Sequence, residues 1–79
     1  MVRKDGAEAR KERLQEIARF IQQALFKQKE LALSTTITQV QYNFGLTEGK
    51  TLEYLRLLEK LGQFTLNEKE DRVRKTTEN

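Results

Sequence analysis

Gly45 divides the middle of this 79-residue chain, and the residues on either side of it decide how. Before it, Ile37, Val40, Gln41 and Phe44 recur at helical spacing. After it, Thr51, Tyr54, Leu55, Leu58 and Leu61 do the same until Gly62. Gly45 suits the left-handed position that closes a helix, because a residue without Cβ takes it at little cost. Leu46 drops into the turn, and Thr47 is a good N-cap for a second helix. Thr36 to Leu61 therefore reads as two short helices hinged at a glycine. Thr36 and Gln39 are spaced as a capping box, which predicts that the first of these helices begins near Thr36 even though Thr35, Thr36, Ile37, Thr38 and Val40 are β-branched.

The flanks extend this pattern. Leu14, Ile17, Ala18, Ile21, Leu25 and Gln28 form one stripe at helical period, and Asp5 and Glu8 are spaced to cap it, so a long first helix is expected from about Gly6 to Gln28. Phe20 and Phe26 lie on opposite flanks of that stripe. They either widen the buried face or meet a second copy of the chain. Leu31 to Leu33 alternates weakly, as a very short strand would. Past Gly62, Gln63 to Leu66 and Arg72 to Thr76 alternate at period two around a polar turn from Asn67 to Asp71, which signals a hairpin. The expectation is a mainly α fold with a small β-hairpin. Residues 6–76 form one domain, residues 1–5 a basic arm and residues 77–79 a frayed tail.

Composition narrows what such a domain does. About 37% of the residues are hydrophobic, enough for one small core; a chain of this size buries only about 60% of its unfolded surface. There is no cysteine and no histidine, so no disulfide forms and zinc would have only carboxylates to hold it. The lack of cysteine fits a reducing compartment. No apolar run approaches the ~20 residues that cross a bilayer. Met1-Val2-Arg3-Lys4-Asp5 has charge without a following apolar core, so it does not read as a signal peptide. A cytoplasmic location with no membrane contact is expected. The net charge is +3 and the pI near 9.4, which permits a polyanionic partner. The excess sits in residues 1–29, which hold 8 Lys/Arg against 4 Asp/Glu.

Catalytic motifs fail on their own terms. Gly45-Leu46-Thr47-Glu48-Gly49-Lys50-Thr51 resembles a phosphate loop, but only three residues separate Gly45 from Gly49-Lys50-Thr51 where four are needed. The preceding segment also reads as a helix and not a strand. Glu12 and Glu16 sit one turn apart, yet each has cationic neighbours and no sheltered cavity to split their pKa values. No enzymatic activity, cofactor, metal or small-molecule substrate is expected.

The second hinged helix is the informative element. With Thr51, Tyr54, Leu55 and Leu58 turned inward, Glu48, Gly49, Leu52, Glu53 and Arg56 face outward, and Thr47 and Lys50 stand at its entrance. Gly45-Leu46-Thr47-Glu48 followed by Thr51-Leu52-Glu53-Tyr54-Leu55-Arg56-Leu57-Leu58-Glu59-Lys60-Leu61-Gly62 resembles the recognition helix of small winged helix-turn-helix regulators of bacteria and archaea. The likeness spans roughly residues 10–76. It implies three helices plus a C-terminal wing, a short strand ahead of the second helix that pairs with the wing, and double-stranded DNA as partner. Carried onto this chain, the groove-reading face is Thr47, Glu48, Gly49, Lys50, Leu52, Glu53 and Arg56. The wing supplies Lys69, Arg72 and Arg74 to the flanking backbone. Tyr42, on the outer face of the bracing helix, is placed to donate to a phosphate, and Arg3 and Lys4, with Arg10, Lys11 and Arg13, make a basic arm. A regulator of this size covers one half-site, so a homodimer through the first helix is expected. Leu52 and Glu53 depart from the usual cationic or amide readers. Together with Leu57 they keep a second possibility open, a protein-interaction module on the same scaffold.

Overall fold

The computed structural model describes residues 6–76, with side chains from Ala9 onward. The Asp5–Glu8 capping box, Arg3, Lys4 and residues 77–79 lie outside that range. Three helices and three short strands follow one another as α1 (Gly6–Lys27), β1 (Glu30–Ala32), α2 (Leu33–Phe44), α3 (Glu48–Lys60), β2 (Thr65–Asn67) and β3 (Arg72–Arg74). The molecule is mainly helical with a small antiparallel sheet of order β1-β3-β2. No described helix is long and apolar enough to cross a membrane.

Helical periodicity places Ile17, Ile21 and Leu25 of α1 on one face, and all three are buried. Leu33 and Val40 of α2, Leu55 and Leu58 of α3, and Phe64 and Val73 of the C-terminal segment close on them. The sheet joins this core through one row. Leu31 and Leu66 stand opposite Val73 from either side, and Val73 is fully buried. Two threonines are buried as well. Thr36 Oγ1 donates to Ala32 O at 2.8 Å and Thr51 Oγ1 to Thr47 O at 2.8 Å, so neither hydroxyl is left unsatisfied.

The hinge is as its residues suggest. Gly45 has φ 66° and ψ 38°, and its N–H donates to Gln41 O. Thr47 is extended, and its side chain accepts from Lys50 N–H. Gly62 also takes a left-handed φ, 81°, and closes α3.

Several expectations need correction. The second helix starts at Leu33 and not near Thr36, and the strand before it is displaced to Glu30–Ala32. Its N-cap, Ala32, has no side-chain cap bond. The cap arrives instead from Asp71. Leu33 N–H donates to Asp71 O at 2.9 Å, Ser34 N–H to Asp71 Oδ1 at 2.8 Å and Ser34 Oγ to Asp71 Oδ2 at 2.9 Å. A cap supplied from across the fold lets the helix take in Leu33, whose burial rewards the extra turn. Leu61 is 60% exposed and not inward, because α3 ends at Lys60 and the chain turns at Gly62. Gln28 is exposed past the end of α1. The two phenylalanines part company. Phe20 is half-buried and meets Phe44 edge to face at 5.9 Å, while Phe26 is 82% exposed with Lys75 Nζ 5.5 Å from its ring centre. The hairpin strands are shorter than the alternation suggests, since Phe64 leaves the strand pattern to enter the core.

Candidate functional site

The outer side of α3 is built on its inner side. Thr51, Leu55 and Leu58 are anchored in the core, and at 3.6 residues per turn that anchoring turns Glu48, Gly49, Glu53 and Arg56 to solvent. All four are exposed, as are Thr47 and Lys50; Leu52 is half-buried at the edge of the face. Gly49, Glu53, Arg56, Leu57 and Lys60 line a shallow depression along this side. Leu57 is 39% exposed.

The hairpin stands beside the same surface. Arg56 Nη2 donates to Glu68 Oε1 at 2.8 Å, tying the outer side of α3 to the turn between β2 and β3. Glu59 reinforces the junction from within, its Oε2 accepting from Leu66 N–H at 2.8 Å. Lys69 sits exposed on the turn, Arg72 is half-buried and Arg74 is exposed. Tyr42 is 89% exposed on α2.

Charge on this surface is largely paired. Lys50 Nζ lies 3.8 Å from Glu53. Arg72 and Arg74 converge on one carboxylate, with Glu30 Oε1 3.3 Å from Arg72 Nε and Glu30 Oε2 2.8 Å from Arg74 Nε. Arg74 Nη2 also lies 3.6 Å from Glu70. The hydrogen bond from Arg56 holds the Glu68 carboxyl below its ordinary pKa, and Glu68 in turn raises that of Arg56. The hydrogen bond from Arg74, with the nearby charge of Arg72, likewise lowers Glu30.

Comparison with protein-family models, curated proteins and solved structures finds no match.

Of the candidate residues, Thr47, Glu48, Gly49, Lys50, Glu53 and Arg56 share one exposed strip, and Lys69 is carried on the hairpin turn held to it by Glu68. Arg3 and Lys4 fall outside the described residues. Arg13 lies on α1, as expected, but faces the protein: its Nη1 donates to Phe44 O at 2.8 Å, where a cation complements the C-terminal end of α2. Sequence reasoning missed Glu30, Glu68 and Asp71. Each acts on a residue far along the chain, so no local spacing announces it. Only the opposed register of Glu30 and Arg74 follows from a correct strand pairing. No cluster of three or more His, Cys, Asp or Glu able to hold a metal occurs among the described residues.

Proposed function

We propose that this chain is a winged helix-turn-helix protein that binds double-stranded DNA, with α3 as the groove-reading helix and the β2–β3 hairpin as the wing. One observation carries the reading: the hairpin turn lies beside the exposed side of a short helix whose opposite side is locked in the core, near enough for Arg56 to reach Glu68 at 2.8 Å. A duplex reader needs that pairing of a free helix face with a flanking arm. The element order supports it, as does the pairing of β1 with the hairpin.

At about 1.5 Å per residue, the 13 residues of α3 span about 20 Å. With its side chains such a helix is about 10–12 Å across, which a major groove about 12 Å wide admits. Thr47 takes one free N–H of the first turn, leaving others for a phosphate oxygen. Lys50 and Arg56 address base edges or phosphates, Glu53 accepts from a cytosine amino group and Leu52 touches a thymine methyl. Lys69, Arg72 and Arg74 on the wing, and Tyr42 on α2, meet the backbone. A homodimer through α1, with Phe26 at the contact, would join two half-sites about 34–36 Å apart, as a transcriptional regulator requires.

The paired charges favour a second reading from another class, a protein-interaction module that offers Leu52, Glu53 and Leu57 to a protein partner. An NMR titration with random and then selected duplexes separates the two. DNA binding is expected to shift the amides of Thr47 to Arg56 and of the hairpin, with log affinity falling by about 0.9 per phosphate contact for each decade of salt. Absence of duplex binding at ~50 mM salt would overturn the DNA reading in favour of the protein partner.

A further inference from the structure

The four cations Lys50, Arg56, Arg72 and Arg74 of the proposed interface are all engaged by carboxylates of the same molecule. Residues 47–74 hold six Lys/Arg and six Asp/Glu, so this segment carries no net charge while the basic excess lies toward the N-terminus. Glu30 is the extreme case: it gives one oxygen to Arg72 and the other to Arg74. Its position directly across the β1–β3 pair from Arg74 makes the contact a cross-strand one. Glu68 reaches Arg56 from the wing turn. These groups are about half exposed, with side-chain accessibilities of 56% and 51% for Arg56 and Glu68. Such pairs are screened by water and individually weak, so another anion can displace them.

Resting on the DNA reading above, we infer that Glu68 and Glu30 set the selectivity of this surface: they occupy Arg56 and the Arg72–Arg74 pair in the free protein, in the places phosphates would take. A random duplex then gains little at these positions, because each new arginine–phosphate contact costs an arginine–carboxylate one and leaves a carboxylate facing the backbone. A duplex that also satisfies the bases along α3 recovers that loss and displaces both carboxylates. The lowered pKa values of Glu68 and Glu30 agree, since both carboxylates stay charged near neutral pH.

The test uses the full chain as wild type, Glu68→Gln, Glu30→Gln and the double variant. Fluorescence anisotropy follows a random-sequence duplex from ~50 to ~200 mM salt, the range over which phosphate contacts lose affinity. Glutamine keeps the size and an accepting oxygen while removing the charge. Amide spectra of each variant check that the hairpin stays in place. Freeing one arginine for one phosphate steepens the salt slope by about 0.9, so the tightening relative to wild type should be about 3.5-fold greater at ~50 mM than at ~200 mM. Glu30→Gln should do about as much, because it releases Arg72 from its carboxylate while Arg74 keeps Glu70. Glu16→Gln is the control. It removes the same charge from an exposed position of α1, outside the proposed surface, without releasing an arginine, so it should leave the slope unchanged. Wild-type binding with unaltered affinity and slope in the Glu68 and Glu30 variants would overturn the inference and leave the DNA reading standing. No binding by any of these chains would remove both.

Discussion

Two glycines four residues apart should respond to alanine with opposite signs. Gly45 has φ 66°, and a Cβ built there meets nothing within 4 Å. The cost of Gly45→Ala is therefore one of backbone conformation and not of collision. A left-handed residue with a Cβ costs about 1–2 kcal/mol, and the stiffer unfolded chain offsets about 0.4–1 kcal/mol of that. The net is a loss of about 1 kcal/mol, or roughly 4–8 °C in Tm for a domain of this size. Gly49 lies within α3, and a Cβ there also meets nothing within 4 Å. Gly49→Ala should gain about 0.5–1 kcal/mol, since alanine is the better helix former and the side chain points into open space. Gly45→Asn should fall between Gly45→Ala and wild type, because asparagine tolerates the left-handed well. Urea titration followed by helical circular dichroism measures all three. A neutral or stabilising Gly45→Ala would refute the left-handed hinge. A destabilising Gly49→Ala would refute the open outer side of α3, and with it the surface on which the functional proposal stands.

Other contacts give further expected outcomes. Asp71→Ala should lose about 1–2 kcal/mol, chiefly for the side-chain cap it provides to α2, since both residues carry a Cβ at φ 57°; chemical denaturation should rank Asn above Ala at this position. Thr51→Val should cost no more than about 1 kcal/mol, because Thr47 O keeps its bond from Thr51 N–H and only the hydroxyl contact is lost; a larger loss in the same assay would mean that the hydroxyl has a second role. Glu30 has its pKa lowered in the fold, so its pairing is fully present above its unfolded pKa and disappears as pH falls through the lower folded value. Thermal melts over about pH 6 to pH 3 should accordingly show a shallower acid decline for Glu30→Gln than for wild type, and parallel curves would contradict the pairing. Phe26→Ser should leave stability nearly unchanged, since the ring is 82% exposed, and should abolish any dimer seen by sedimentation; a dimer that survives it uses another surface.

The legible parts of this fold were those governed by local rules. Ile17, Ile21 and Leu25 declare their helix by spacing. Gly45 and Gly62 mark helix ends by lacking a Cβ, and Thr47 sits three residues before the N–H it caps. The start of α2 was misplaced because Thr36 and Gln39 satisfy the same local rule, whereas the actual cap lies 37 residues away in sequence. Leu61 and Phe26 show the complementary limit. Both are large and apolar and fit a helical stripe or its flank, but the chain turns before either is covered. At the candidate site, which α3 residues face outward could be read from the buried residues opposite them. The pairing of the arginines with carboxylates could not, since Arg56 meets Glu68 and Arg74 meets Glu30 only once the hairpin has folded back.

Asp71 gives the hairpin a second consequence. Its carbonyl and carboxylate hold the opening of α2 while its own backbone, at φ 57°, ends the turn that carries Glu68 and Lys69. The arm is thus no loose appendage, because whatever tugs at its tip also strains the opening turn of the bracing rod. A change that breaks the bonds from Leu33 and Ser34 to Asp71 therefore releases the opening of α2 and the end of the hairpin turn together.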